Sequence, residues 1–457
     1  MGRQQKTARE VALDILIDTE ERGAYSNLLL NDRLKKSKLT DTRDRGLVTE
    51  LVYGTIQRRN TLDWVLNTLV KKGVSSIEPW VRQLLRMGIY QLRYLDRIPS
   101  RAAVHETVDQ AKSRGHKGIA GLVNGVMRGY LRREREWDLP SSTQDIRQLA
   151  LLYSHPEWMV RRWVEVYGVE TTTALLAANN EPPTISLRFN PLKTDRQSLI
   201  HFLQEEYPEA EVTPSTIASQ GVIFRGGGNP ALHSRYREGW YSIQDESSMI
   251  VSEVVDPQPG ERGLDGCAAP GGKTTHLAER MKNEGAILSC DIHGHKVALI
   301  RENLDRLGLT MVETKEMDLR ELPDKVEHPF DFVLLDAPCS GLGVIRRKPD
   351  IKWSKEVSEI EGLIQLQAEL LDAAANLVAP NGVLVYSTCT IEPRENEEQV
   401  RAFLARNESF QLDDHIEERL STPVKNQALI QKGRLQILPH HFHSDGFFIT
   451  RMVRKEK

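Results

Sequence analysis

Residues 262–280, RGLDGCAAPGGKTTHLAER, run from a short apolar strand pattern through a loop of small residues into an amphipathic helix. Small residues let the backbone approach a ligand closely, and the start of a helix offers N–H groups without intrahelical partners. Two nucleotide chemistries compete for such a loop. A phosphate-binding Walker loop needs Gly, four residues, then Gly-Lys-Ser/Thr. Gly272-Lys273-Thr274 supplies the end, but the required first glycine position holds Cys267, and Gly266 stands one residue too early. Because a phosphate cradle depends on loop length, a P-loop NTPase is the weaker reading, although FDFVLLDA does end a strand on Asp336. The alternative is a nucleoside ligand without a phosphate chain. AILSCD ends on Asp291, an acid placed to accept from ribose hydroxyls. MVETKEMD ends on Asp318, placed to meet the base of an adenosine.

Working outward, β and α patterns alternate from Trp240 onward. The strands are RGLDG, AILSCDI, FDFVLLDA and GVLVYSTC, with helices such as HKVALIRENLDRLG and EGLIQLQAELLDAAANLVA between them. This alternation predicts an α/β doubly wound sheet with ligands at the carboxyl ends of its strands, over residues 241–457. Residues 146–240 read as a small α/β module in which TISLRFN and GVIFRG are strands. Residues 1–140 read as a bundle of six or seven helices, joined to the rest by a linker around LPSSTQD, residues 139–145.

The chain has 457 residues, 27% of them charged and 39% hydrophobic, which fits a soluble globular protein of several domains. No apolar stretch approaches a membrane span, and the start MGRQQKTAREVALDIL lacks a signal-peptide core, so a cytoplasmic location without a membrane partner is expected. The four cysteines (Cys267, Cys290, Cys339, Cys389) form no CxxC pair, which argues against a disulfide framework and against a zinc site; no metal is expected. Charge is divided unevenly. Residues 1–140 hold 26 Lys and Arg against 17 Asp and Glu, a net of +9, whereas the whole chain is −3. A basic leading domain on an acidic remainder suits a protein that grips nucleic acid.

Asp336-Ala337-Pro338-Cys339-Ser340-Gly341 and Tyr386-Ser387-Thr388-Cys389-Thr390 close two strands of one sheet, so both cysteines can face one cleft. Spacing does not say which attacks. Cys290 reads as a buried strand residue.

CAAPGGKTTHLAE (267–279), LLDAPCSGLGVIRRKPDIKW (334–353) and YSTCT (386–390) resemble the RNA cytosine-C5 methyltransferases of the Sun/NOL/Fmu group. LVYGTIQRRNTLDWVL, MGIYQLRYLDRIP and GLVNGVMRGYLRR are similar to the helical NusB domain, and DGFFIT resembles the family's last strand. The resemblance implies a class I, Rossmann-like methyltransferase domain that uses S-adenosylmethionine. It assigns attack on the base to Cys389, help with product release to Cys339, and cofactor contact to Cys267, Ala268, Ala269, Pro270, Gly271, Gly272, Lys273, Asp291, Asp318 and Asp336. Carbon 5 of cytosine is a weak nucleophile, so a thiolate first adds at carbon 6; Asp336 is expected to hold the ring near nitrogen 3. No sequence neighbour accounts for the lowered thiol pKa this requires. Arg346-Arg347-Lys348, followed by Asp350 and Trp353, is placed to hold phosphates beside the target. The NusB-like domain points to small-subunit (16S) ribosomal RNA, with transfer RNA, or RNA binding without catalysis in ribosome assembly, as the competing readings. Nothing in the sequence fixes an oligomeric state.

Overall fold

Thr7 and Glu10 form a reciprocal capping box that starts helix α1 (Ala8–Arg22). The bundle continues with α2 (Ser26–Lys36), α3 (Thr42–Gln57), α4 (Arg59–Leu69), α5 (Pro79–Tyr94), α6 (Ser100–Arg114) and α7 (Lys117–Arg132). The long apolar periodicity of residues 46–70 is split because Arg58, at φ −99° and ψ 11°, leaves helical geometry. Gly54 lets α3 lie directly against α5, since a Cβ there would collide with the Tyr90 ring. Two more helices, α8 (Ile146–Leu152) and α9 (Glu157–Ala178), belong with the bundle by contact. Asn60 Nδ2 donates to the carbonyls of Ala150 and His155 at 3.0 and 3.1 Å, and Thr61 Oγ1 donates to that of Leu151 at 2.6 Å.

This computed structural model describes residues 6–23, 25–37, 39–139 and 144–456. It contains two compact units, Met1–Glu181 with Ile345–Ser354, and Pro182–Val344 with Lys355–Lys457. The division by contact therefore falls after α9 rather than at the 139–145 segment, of which residues 140–143 lie outside the described residues.

The second unit opens with strands β1 (Ile185–Phe189), β2 (Glu211–Pro214), β3 (Gly221–Arg225) and β4 (Tyr241–Ile243). They form an antiparallel sheet in the order β2-β3-β1-β4. Helix α10 (Arg196–Glu206) covers it through Leu199 and Leu203, which meet Leu187, Val222 and Phe224. Past the short α11 (Ser234–Arg237) lies the large sheet. Its parallel strands are β5 (Arg262–Asp265), β6 (Ala286–Asp291), β7 (Val312–Glu316), β8 (Phe330–Asp336) and β9 (Val378–Thr388), and β10 (Phe410–Leu412), β11 (Leu429–Gln431), β12 (Arg434–Ile437) and β13 (Phe447–Arg454) extend it antiparallel beyond β9.

Alternate residues of β8 point to opposite faces. Phe332 and Leu334 pack in a core with residues of α12 (Glu246–Val255), α13 (Gly272–Arg280) and α14 (Gly294–Leu307). Beyond α15 (Ile351–Ser354), which lies in the helical unit, come α16 (Val357–Asn376), α17 (Glu397–Arg406) and α18 (Thr422–Gln427). Val333 and Leu335 pack with Leu371 of α16 and Phe403 of α17. The chain steps outward from β5 to β6 and β7, then returns to β8 on the other side of β5. That reversal opens a crevice at the carboxyl ends of β5 and β8, where doubly wound sheets bind ligands. Among the described residues no helix is long and apolar enough to cross a membrane.

Candidate active site

The loop after β5 turns on Gly271, whose φ of +96° strains any other residue; a Cβ there would also press to 3.2 Å from Ile300. Its helix, α13, is fixed from the neighbouring small sheet by Arg188 on β1. This guanidinium is fully buried, binds both carboxylate oxygens of Glu279 at 2.8 and 2.9 Å, and donates to the Gly272 carbonyl at 2.8 Å. Inside the loop, Thr274 Oγ1 donates to Asp265 Oδ2 at 2.6 Å. Burial pushes the Asp265 carboxyl up to about 7, and its other oxygen has no partner among the described residues.

At the next strand end, Asp291 accepts from the backbone N–H of His293 at 3.0 Å and of Ala269 at 3.4 Å. Asp318 is ion-paired with Arg320 at 2.7 Å, and that hydrogen bond holds its carboxyl below the usual range. A cavity of about 470 Å³ joins these groups. Gly266, Cys267, Ala269, Asp291, Asp318, Asp336, Cys339 and Cys389 all line it, with apolar wall from Met317, Leu319 and Leu370. Ala268 instead faces the core, and Pro270, Gly271 and Gly272 shape the loop without lining the cavity. Burial raises the Cys267 thiol, and the surrounding carboxylates raise it further, so it is an inert wall.

The two motif cysteines end adjacent strands β8 and β9, and their sulfurs lie 3.4 Å apart. Asp336 accepts from Lys273 Nζ at 2.7 Å and from Ser387 Oγ at 2.8 Å. Burial works against the Lys273 ammonium, but the charges of Asp336 and Cys389 outweigh it and hold the lysine protonated. The Lys273 ammonium and the Cys389 thiol therefore interact electrostatically, a pairing that no sequence pattern announces. Cys339 is raised well above the usual thiol range, first by its hydrogen bond to Cys389 and then by burial. Either sulfur can donate in the hydrogen bond between them.

Both cysteine loops hang on Glu395. Its carboxylate accepts from the Ser340 N–H at 2.8 Å, from the Ser340 hydroxyl, and from Gln367 Nε2 at 2.9 Å. Ser340 also meets the Thr390 hydroxyl at 2.8 Å, and the Cys389 carbonyl accepts from Gly343 N at 3.0 Å. In sequence, Glu395 sits in the charged run PRENEE (393–398), where nothing separates this buried acid from its solvated neighbours.

Arg346 is buried and Lys348 is exposed. Asp350 accepts from the Ser26 N–H and hydroxyl at 3.1 and 2.6 Å, and Trp353 Nε1 donates to the Ile56 carbonyl at 2.7 Å. Asp350 and Trp353 therefore anchor the segment within the helical unit.

Residues 252–453 match a family model described as 16S rRNA methyltransferase RsmB/F. Residues 6–132 match the NusB family, and residues 155–229 match the ferredoxin-like domain of RsmF/B-like methyltransferases. The probable ribosomal RNA small subunit methyltransferase B of Bacillus subtilis is 45% identical over 453 residues, covering 99% of this chain and all of that protein. The ribosomal RNA small subunit methyltransferase B of Cronobacter sakazakii is 36% identical over 449 residues, 98% of each chain. Among solved structures, that of PH0851 aligns over 100% of both chains with a TM-score of 0.82 and 27% identity.

Proposed function

The chain belongs to the 16S rRNA methyltransferase RsmB/F family, and from that premise we propose that it methylates carbon 5 of a cytosine in small-subunit ribosomal RNA, with Cys389 as nucleophile and S-adenosylmethionine as methyl donor. The observation that carries the reading is the pair of sulfurs 3.4 Å apart beside the Lys273–Asp336 ion pair. The cavity suits the cofactor: a close-approach glycine loop, the Asp291 carboxylate for ribose hydroxyls, and apolar wall for an adenine ring. Cys267, Ala269, Asp291, Asp318 and Asp336, which line the cavity, would hold it, with residues 270–273 shaping the loop around it. When bound, S-adenosylmethionine supplies an electrophilic methyl group.

The protein's own groups divide the remaining work. The Lys273 ammonium favours the thiolate of Cys389, which adds to carbon 6 and pushes an electron pair toward carbon 5. Asp336, fixed by Lys273 and Ser387, orients the ring near nitrogen 3. Cys339 holds its proton while Cys389 carries the negative charge. Once the Cys389 sulfur is bonded to carbon 6, the first cause of that raised affinity is gone. Cys339 can then release its proton to bulk water and, as the thiolate, take the carbon-5 proton, while the electron pair of the broken C–H bond forms the carbon 5–carbon 6 double bond and expels Cys389 as a thiolate. The target base must be unpaired or flipped to reach this site. Residues 1–140 and the 146–240 module would recognise the RNA by shape and single-stranded elements, with residues 241–457 catalytic, in the cytoplasm.

The test is transfer of radiolabelled methyl from S-adenosylmethionine to undermethylated small-subunit ribosomal RNA, with transfer RNA in parallel. Label recovered as 5-methylcytosine in the ribosomal RNA is the expected result. Label confined to transfer RNA would discard the substrate and keep the chemistry. Absence of label in both, and in preribosomal particles, would favour a non-catalytic assembly factor.

A further inference from the structure

The helical unit contains a cavity of about 270 Å³, distinct in its residues from the one lined by the cysteines. Leu16 and Ile56 give it apolar wall, and the Arg59 guanidinium lies 5.5 Å from the centre of the Trp353 ring at its side. Three oxygens of residues that line it are buried and have no hydrogen-bond partner among the described residues: Thr55 Oγ1, Asp350 Oδ1 and Glu20 Oε2. Thr55 is 1% exposed and Asp350 8%. Leaving such groups bare costs free energy that a folded protein normally avoids. Asp350 is the most telling of the three, because its other oxygen already takes both donors of Ser26.

Charge narrows the occupant. Glu20 is ion-paired with Arg82 and Arg86, Asp63 with Arg86 and Arg59, and the acids Glu20, Asp63 and Asp350 are matched in number by Arg59, Arg82 and Arg86. A site so compensated matches neither a phosphate nor a metal ion. It suits a neutral, planar group that brings N–H donors, with an aromatic ring and a guanidinium at its side. We propose that this cavity is a second binding site, holding one unstacked nucleobase of the RNA, guanine before the others; the inference rests on the RNA reading given above. Guanine alone presents a ring N–H and an exocyclic amine side by side, and uracil, with one donor between two carbonyls, is the poorest match.

The experiment uses the full chain with excess S-adenosylhomocysteine, which fills the catalytic cavity, and titrates GMP, AMP, CMP and UMP by saturation-transfer NMR and calorimetry. GMP is expected to bind best and UMP worst. Thr55→Val breaks no hydrogen bond among the described residues, so its melting temperature stays level while GMP affinity falls about fivefold to tenfold. Thr55→Ser keeps the hydroxyl and keeps the affinity. Equal binding of all four nucleotides, GMP affinity unmoved by Thr55→Val, or preferential capture of arginine amide would each overturn the proposal. GMP binding that follows Thr55, in a chain that methylates no RNA, would support the pocket and count only against the catalytic reading. Methylation without GMP binding would do the reverse.

Discussion

Cys389 and Cys339 differ in what surrounds them, and that difference sets opposite outcomes for the same substitution. Cys389→Ser leaves the Lys273–Asp336 pair and the cavity walls in place, so S-adenosylmethionine binding persists while methyl transfer falls by about three orders of magnitude or more. Calorimetry and the radiolabel assay read the two effects separately, and substantial turnover would move the nucleophile elsewhere. Cys339→Ser keeps attack and methylation but removes the group proposed to take the carbon-5 proton. A protein–RNA adduct should then persist as a shifted band on a denaturing gel after one round. Asp265 gives a pH signature. Its carboxyl is held up to about 7 by burial, whereas the unfolded chain ionises at about 4. The stability it contributes is complete below that lower value and is lost as pH rises toward 7. Asp265→Asn preserves an oxygen for the Thr274 hydroxyl and cannot ionise. Its melting temperature should therefore gain on the parent steadily between pH 4 and 7, then run parallel; a constant offset throughout would show that Asp265 is not the titrating group.

At the scale of elements, legibility followed length and apolar continuity. β5, β6, β8 and β9 are apolar runs ending at or beside the candidate site residues, as buried parallel strands are, and each was readable. β2, β4, β10, β11 and β12 span three or four residues each, too few for an alternation to declare itself, and α2 carries three of its four apolar residues in one short cluster, NLLL. The motif residues of the site were legible because they terminate strands. The groups that hold them were not, since Arg188 and Glu395 act across long sequence separations. Arg188 shows how much such a hidden partner matters. Arg188→Met would strand Glu279, 1% exposed, as an unpaired buried acid, and should cost roughly 3–5 kcal/mol in urea unfolding of the full chain. Adding Glu279→Leu removes the stranded charge, so the double variant should recover most of that deficit. If the double variant is as unstable as the single, the pair does not bear on α13 in this way.

For the molecule as a whole, sequence order and compact units do not coincide, because Ile345–Ser354 follows the Cys339 motif yet belongs to the helical unit. Lys352 shows how firmly: its fully buried Nζ donates to the carbonyls of Gln57 and Ser154 and to Asn180 Oδ1, at 3.2, 3.1 and 2.8 Å. RNA binding by the helical unit is therefore best tested in the intact chain, by changing charge rather than by truncation. The net +9 of residues 1–140, on a chain of −3, predicts that affinity for ribosomal RNA rests on phosphate neutralisation by this region. Neutralised phosphates release counterions, so log affinity should fall linearly with log salt. Lys71 and Lys72 are exposed in the basic region, and Lys432 is exposed in the acidic remainder. Lys71→Glu with Lys72→Glu should weaken binding alike for all RNA sequences and flatten the salt slope by about one for each phosphate left without its lysine. Lys432→Glu changes net charge without touching the basic region and should leave the slope alone. If both variants flatten it equally, net charge rather than the helical region governs RNA capture.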